Sequence, residues 1–473
     1  MLDMTIGGQE ARAAATFDVV NPATGEVFAQ APECTPEQLD EAFESARSAQ
    51  AGWAADEGGR TKAMLLLAER LAGAGPELAG LLTSETGKPL ALAGFEPMIC
   101  AMWLQYYAGM DMPRKLIQDD ATAKIEVAHR PLGVVAAITP WNFPLGLAMW
   151  KISAAIRAGN TVVLKPSPYT PLATLRMGQL MAEVLPPGVV NVVTGGDALG
   201  AAMSSHPVPR KVSFTGSVSA GTKVAVAAAA DLKRVTLELG GNDAAIVLAD
   251  ADVAAVAQKL FATAFFNTGQ ACALPKRIYA HESIHDELAE ALGAMADAVE
   301  LGDPTAAGAQ MGPLSTRPQL ERVQGLVGEA LGNGVRAVSG GAAVDGPGFF
   351  FRPTVLVGAS DSERIVTEEQ FGPALPVLSF SDPEDALRRA NDTSFGLSGS
   401  VWSRDEDRAR ALAERLECGY TWVNTHAALL PHTPFGGAKH SGVGVENGVV
   451  GLLSFTQAQT VHVERAGEQV ITA

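Results

Sequence analysis

The stretch Val134-Val-Ala-Ala-Ile-Thr-Pro-Trp-Asn-Phe-Pro-Leu-Gly-Leu-Ala-Met-Trp-Lys-Ile-Ser-Ala-Ala-Ile-Arg-Ala-Gly-Asn-Thr-Val-Val-Leu164 reads as one β-α-β unit. Five small apolar residues at 134–138 form a short buried strand. A helix follows over 145–157, with Gly159 placed to stop it at C′. A second strand runs over 161–164. The pattern continues outward: helix 171–184 opened by a proline, strand 189–193, helix 198–204, strand 211–215, helix 219–230 and strand 235–239. Strands that alternate with helices in this way build a parallel sheet with helices on both faces.

A second alternating stretch follows. It has a strand at 244–248, a helix over 251–266, a strand at 277–279, helices over 287–299 and 319–331, and a strand at 420–423. The first third looks helical. Thr35 is the N-cap of a helix reaching Ala49, with Glu37 and Gln38 in its first turn. Further helices are expected over 61–72 and 76–84, and Gly87-Lys-Pro breaks the pattern. Thr460-Val-His-Val needs a strand partner, either residues 124–129 or another subunit. The fold class is therefore α/β. We expect a Rossmann-like cofactor domain from 1–112 and 132–240, an α/β catalytic domain at 241–440, and a small β oligomerisation arm from 113–131 and 456–473.

Composition narrows the function classes. The chain has 473 residues, too long for one ordinary core. It is 47% hydrophobic and 18% charged, which suits a well-packed globular protein and excludes a disordered one. The formal net charge of −17 and the lack of any Lys/Arg cluster argue against nucleic-acid binding. The four cysteines (34, 100, 272, 418) are too scattered for a C-x-x-C motif and suit a reducing, cytoplasmic setting. The first fifteen residues lack an apolar signal core, and no uncharged apolar run reaches about 18 residues. We therefore expect no membrane association and no metal site.

Four segments carry chemistry. In Phe266-Asn-Thr-Gly-Gln-Ala-Cys272 a cysteine stands beyond a loop rich in Asn, Gly and Gln, flanked by Ala271 and Ala273. It is a nucleophile if its pKa is lowered, or a structural cysteine otherwise. In Val235-Thr-Leu-Glu238-Leu-Gly-Gly a carboxylate ends an apolar strand. Such a Glu is a general base with a raised pKa, or one half of an ion pair. In Thr139-Pro-Trp-Asn142-Phe-Pro144 the Asn can offer its NH₂ to a developing oxyanion, or bond its own turn. Finally, Lys165-Pro-Ser and Phe214-Thr-Gly216-Ser217 follow strands, where a lysine and a glycine turn can approach a nucleotide. The G-x-G-x-x-G spacing is absent.

Together these segments resemble the aldehyde dehydrogenase superfamily along nearly the whole chain. Seven blocks fall in the family's order: Pro140-Trp-Asn-Phe-Pro144, Lys165-Pro-Ser, Phe214-Thr-Gly-Ser217, Leu237-Glu-Leu-Gly-Gly241, Asn267-Thr-Gly-Gln-Ala-Cys272, Glu368-Glu-Gln-Phe-Gly-Pro373 and Pro434-Phe-Gly-Gly437. The resemblance implies Cys272 as nucleophile, Glu238 as base, Asn142 with the Cys272 amide as oxyanion donors, and Lys151 with Glu446 as a proton-relay pair. It implies a cofactor site of Thr139, Pro140, Trp141, Lys165, Ser167, Gly216, Ser217, Leu239, Gly240, Glu369 and Phe371. Aldehyde would be oxidised to acid through a thiohemiacetal and a thioester. The chain departs from the family pattern at Pro168, where many relatives carry a Glu that binds the adenine ribose. Some NAD-using relatives also have proline here. The reading favours NAD and leaves NADP open. Val445 replaces a usual arginine, and Leu274-Pro-Lys replaces commoner small residues.

The same resemblance lines the aldehyde tunnel with Phe143, Trp150, Trp103, Leu429 and Ile99, and places His426 at its mouth. The loop 425–433 has no Arg or Lys, so an uncharged aliphatic or aromatic aldehyde is expected, and a homodimer or homotetramer. Two rivals are a CoA-acylating dehydrogenase, against which retention of Glu238 argues, and a non-catalytic binding protein on this fold, against which intact Cys272, Glu238 and Asn142 argue. Replacing Cys272→Ser should abolish iodoacetamide-sensitive NADH production. Absence of turnover on any aldehyde by the unaltered protein would favour the binding reading.

Overall fold

The computed structural model describes residues 2–465. Met1 and residues 466–473 lie outside the described residues, and with them the outer ends of the first expected domain and of the C-terminal oligomerisation segment.

The β-α-β unit forms as expected. The strand Val134–Ile138 is buried throughout and is followed by the helix Pro144–Arg157 and the strand Thr161–Lys165. Pro144 sits at the first helical position, where a missing N–H costs nothing. Gly159 lies just past the helix with φ +89, the left-handed stop that glycine adopts without a Cβ penalty. All fourteen residues of this helix are buried, including Lys151 and Arg157. A helix buried all round must pair its charges: Arg157 bonds the Met110 carbonyl and Glu57, and Lys151 bonds Glu446.

Eight strands make the first sheet. Its five central strands are parallel, in the order Val190–Val192, Thr161–Lys165, Val134–Ile138, Lys211–Thr215, Arg234–Glu238. Chain order reverses between Val134–Ile138 and Lys211–Thr215, the switch point where ligands bind at carboxyl ends. The second sheet has seven strands: Arg336–Ser339, Thr354–Val357, Ala374–Phe380, Pro275–His281, Asp243–Val247, Ser398–Trp402 and Tyr420–Val423, all parallel except the first. Each face of this sheet carries its own apolar cluster. Residues 239–242 lead from the carboxyl edge of the first sheet directly into the amino edge of the second. The two edges therefore face one another across a short gap, and the candidate site lies there.

Several elements differ from expectation. The first third is not purely helical: four strands precede the first helix. Met4–Ile6 adds to the edge of the first sheet, with Thr5 opposite Val192. These strands are only three to seven residues long, too short for a two-residue period to stand out. The helix expected over 251–266 ends at Ala264, because Asn267 and Thr268 take left-handed conformations in the following turn. The strands between Arg336 and Trp402 add to the expected set, and each is a brief run whose sequence fits a strand or a buried helix turn equally well. The C-terminal strand Thr456–Glu464 pairs antiparallel with Ala123–Pro131 of the same chain, and Lys115–Asp119 completes a three-stranded arm.

Thr35 caps the helix Pro36–Ala55 with a reciprocal box. Its hydroxyl accepts from the Gln38 N–H at 3.2 Å, and the Gln38 side chain accepts from the Thr35 N–H at 3.1 Å. The helix is also tied to the first sheet, where the Thr161 hydroxyl donates to the Ala46 carbonyl at 2.8 Å. Thr35→Ala is expected to lower stability by about 1 kcal/mol, read as a lower urea midpoint, with activity retained. An unchanged midpoint would contradict this account of the cap.

Candidate active site

Cys272 is presented by a strained loop. Asn267 (φ 49, ψ 41), Thr268 (φ 57, ψ 34) and Gly269 (φ 71) are left-handed in succession. For the two non-glycine residues this costs roughly 1–2 kcal/mol each. The surroundings hold the turn in place. The Thr268 hydroxyl donates to the Gly312 carbonyl at 3.2 Å, the Ser315 N–H donates to Gln270 Oε1 at 2.9 Å, and the Lys276 ammonium donates to the Gly269 carbonyl. A Cβ on Gly269 would stand 2.2 Å from the Gly372 carbonyl oxygen, so the position admits only glycine. Backbone strain held in place in this way marks the loop as a candidate functional segment.

The sulfur is half-buried among acids. Burial and the charges of Glu238, Glu369 and Asp243 push the Cys272 thiol up to about 12. Glu238 ends the strand Arg234–Glu238 and is buried, and neither of its carboxyl oxygens has a hydrogen-bond partner among the described residues. Burial first, and then the Glu446 charge, raise its pKa well above the ordinary value, against the opposing charge of Lys151. The ion-pair alternative for Glu238 therefore fails. Lys151 is taken by Glu446 at 2.5 Å, which also accepts from the Ser213 hydroxyl at 3.1 Å. The other Glu446 oxygen has no hydrogen-bond partner among the described residues.

Asn142 does not bond its own turn. Its side-chain NH₂ crosses to the nucleophile loop and donates to the Gln270 carbonyl at 3.0 Å, leaving its second hydrogen free. Its backbone carbonyl accepts from the Asn267 side chain at 3.3 Å and from the Lys88 ammonium at 2.8 Å.

Beside these groups, the switch point has the features of a dinucleotide site. Thr139 and Thr215, at the ends of the two strands that flank it, have buried hydroxyls without partners. Lys165 is buried, bonds only the Pro166 carbonyl at 3.1 Å, and is pushed down to about 8 by burial. Ser217 caps the helix Val218–Ala229 by accepting from the Ala220 N–H at 3.2 Å, and a Cβ on Gly216 would lie 2.6 Å from the Phe214 ring. Glu369 accepts from the Gly241 N–H at 2.9 Å and closes over Gly240, where a Cβ would stand 2.4 Å from its carboxyl. Burial pushes Glu369 up to about 7. Phe371 meets Trp141 edge-on at 5.3 Å. Ser167, Pro140 and Leu239 lie along the same strand ends. Unpartnered hydroxyls, an under-bonded lysine and a carboxylate over bare backbone fit a phosphate- and ribose-bearing cofactor.

The family model described as "Aldehyde dehydrogenase family" matches residues 9–461. The chain belongs to the aldehyde dehydrogenase family. It is 38% identical to phenylacetaldehyde dehydrogenase of Pseudomonas fluorescens, over 97% of this chain and 95% of that one. It is also 38% identical to retinaldehyde dehydrogenase 3 of Homo sapiens, over 96% and 91%. The structure of an aldehyde dehydrogenase from Bacillus cereus solved as an NAD⁺ complex superposes with a TM-score of 0.96 at 35% identity, covering 98% of this chain and 96% of that one.

Of the residues expected to line the aldehyde tunnel, Trp103 and Trp150 stack at 5.5 Å, and Trp150 meets Phe435 edge-on at 5.8 Å. The Trp103 indole N–H donates to the Asn447 side chain at 2.8 Å. Ile99, Phe143 and Leu429 are half-buried. His426 requires a correction. It is not at a mouth but buried (3% exposed) against Trp422, with Nδ1 at 2.8 Å from the Ser400 hydroxyl and Nε2 facing Asp243 at 3.7 Å. Burial depresses its pKa and favours the neutral ring. Phe266 was missed: it lies parallel to Phe143 at 6.0 Å and remains 40% exposed. It stands at the head of the nucleophile block, so its position was visible there. Lys276, noted only as a departure, is a buried cation lying 5.6 Å from the Phe371 ring and pushed down to about 8.

A thiol pushed to about 12 is almost wholly protonated at neutral pH. In the enzyme without cofactor, iodoacetamide labelling of the Cys272 peptide should accelerate about tenfold per pH unit from pH 7 to 9, followed by mass spectrometry. A plateau below pH 8 would show a thiolate already formed and contradict the electrostatics described.

Proposed function

We propose that this enzyme oxidises an uncharged aliphatic or aromatic aldehyde to its carboxylic acid, with NAD as cofactor, through a thioester on Cys272. The observation that carries the reading is the buried, unpartnered Glu238 carboxyl at the strand end, close enough to Cys272 to raise the thiol by its charge. Both groups are poor acids in this setting. Proton transfer from sulfur to the Glu238 carboxylate therefore makes a thiolate without stranding a second charge. The thiolate adds to the aldehyde carbon and forms the C–S bond. The oxyanion accepts from the free hydrogen of Asn142 and from the Cys272 N–H. When bound, the nicotinamide supplies the two-electron acceptor that turns this adduct into the thioester. Glu238, after passing the thiol proton to the Lys151–Glu446 pair, takes a proton from water; the hydroxide adds to the thioester carbon, and the C–S bond breaks to release the acid and the Cys272 thiolate. Lys151 and Glu446 carry protons from Glu238 inward, along the unpartnered Glu446 oxygen.

For the cofactor, Lys165 and Ser167 hold the adenosine ribose, Gly216 and Ser217 the pyrophosphate, and Glu369 the second ribose. Thr139, Pro140, Trp141, Leu239, Gly240 and Phe371 wall the nicotinamide. Pro168 offers no carboxylate to attract a 2′-hydroxyl or repel a 2′-phosphate; because some NAD-using relatives carry proline at this position, we favour NAD and leave NADP open. The aromatic wall of Phe143, Trp103, Trp150 and Phe266, with Leu429, supports an apolar aldehyde, as do the names of the two relatives. The three-stranded arm exposes Leu116, Ile117 and Val463, which supports its role as the contact that builds a homodimer or homotetramer. The four free cysteines support a cytoplasmic setting.

A panel of aldehydes with NAD and NADP, read at 340 nm, tests the substrate class. Hexanal and benzaldehyde should exceed succinate semialdehyde in kcat/KM by at least about tenfold, because a carboxylate in an apolar tunnel lacks a cationic partner. A preference for succinate semialdehyde would overturn it.

A further inference from the structure

We infer that the buried Lys88–Glu96 ion pair is the positioning device for Asn142, holding the oxyanion donor in register with the nucleophile loop. The inference rests on the reading of Asn142 as that donor. Lys88 follows the helix Gly75–Thr86, and Glu96 lies in the first turn of the helix Phe95–Ala108. Both side chains are shut off from solvent, and they meet at 2.5 Å. From there the pair grips the Asn142 turn at two places. The Lys88 ammonium donates to the Asn142 carbonyl at 2.8 Å and lies 4.2 Å over the Phe143 ring. The second Glu96 oxygen accepts from the Leu145 N–H at 2.9 Å and the Gly146 N–H at 3.0 Å. These are otherwise unpaired amides in the first turn of the helix Pro144–Arg157.

The rest of Asn142 is tied to the opposite side. Its NH₂ donates to the Gln270 carbonyl at 3.0 Å, and its carbonyl also accepts from the Asn267 side chain at 3.3 Å. The two halves of the oxyanion site thus come from different loops, and their separation is set by this chain of bonds. Neither Lys88 nor Glu96 touches the reacting groups, and a buried ion pair brings little net stability. A helix start alone could be capped by one neutral side chain. What the pair adds is a fixed carbonyl at residue 142, and displacing an oxyanion donor by about 1 Å costs roughly 10²-fold in rate.

The test uses the full-length enzyme with Lys88→Met, Asn142→Ala and the double variant. Four quantities are read: kcat for aldehyde oxidation, kcat for cofactor-independent hydrolysis of p-nitrophenyl acetate, KM for NAD, and the rate of Cys272 alkylation. Both kcat values should fall about 30- to 100-fold in Lys88→Met, with KM and alkylation within about twofold. In the Asn142→Ala background the same change should cost less than about threefold, because the donor it serves is gone. Full multiplication of the two losses, or unchanged kcat values in Lys88→Met, would overturn the clamp while leaving the oxyanion role of Asn142 intact. If Asn142→Ala alone were silent, that role itself would fall. Glu96→Gln, which keeps the shape and one acceptor oxygen, carries the same cycle should Lys88→Met not fold.

Discussion

Withdrawing the Glu238 carboxyl from water with no hydrogen-bond partner penalises its charged form, and the chemistry of the pocket follows from that penalty. The obvious counter-charge, Lys151, is already committed to Glu446, so Glu238 is left to change protonation state. The acids around Cys272 act on the thiol in the same direction. A nucleophile and a base that both resist ionisation can share one proton at small cost. That matching is what lets a carboxyl work as a base near neutrality. Asn142 and Lys276 both donate to carbonyls of the loop before Cys272, and neither donates to Glu238.

The fold makes this arrangement possible by opposing two sheet edges. The first sheet contributes its carboxyl ends, where Glu238, Thr139, Lys165 and Gly216 fall. The second contributes its amino ends, because Cys272 precedes the strand Pro275–His281 and Glu369 precedes Ala374–Phe380. Three of the non-glycine residues with left-handed backbone lie in loops that enter the gap. Asn267, Thr268 and Phe371 all have positive φ, and each is held by packing between the two edges.

Much of this was legible in the sequence. The β-α-β units from 134 to 239 were, because each element is long enough to show its period and is bounded by Gly or Pro. Cys272, Glu238 and Asn142 were legible as a set; each alone had a plainer structural reading, and only their order along the chain separated the two. The N-terminal strands were not, since Met4–Ile6 is recruited by a partner nearly two hundred residues away. The burial of His426 was hidden for a similar reason: Ser400 and Asp243, which hold it, come from other strands. Lys88 looked like part of a helix stop, because nothing local to Gly87-Lys-Pro indicates that its ammonium reaches residue 142.

The central claim is that a thioester forms on one sulfur and is cleared by one carboxyl. Glu238→Gln keeps the shape of the base and removes its proton affinity. Mixed with benzaldehyde and NAD over a long incubation, this variant should release about one NADH per subunit, more slowly than the unaltered enzyme because the thiol must ionise without its base, and then stall, with a benzoyl adduct on the Cys272 peptide by mass spectrometry. Steady turnover without an adduct, or an adduct on another residue, would contradict the account.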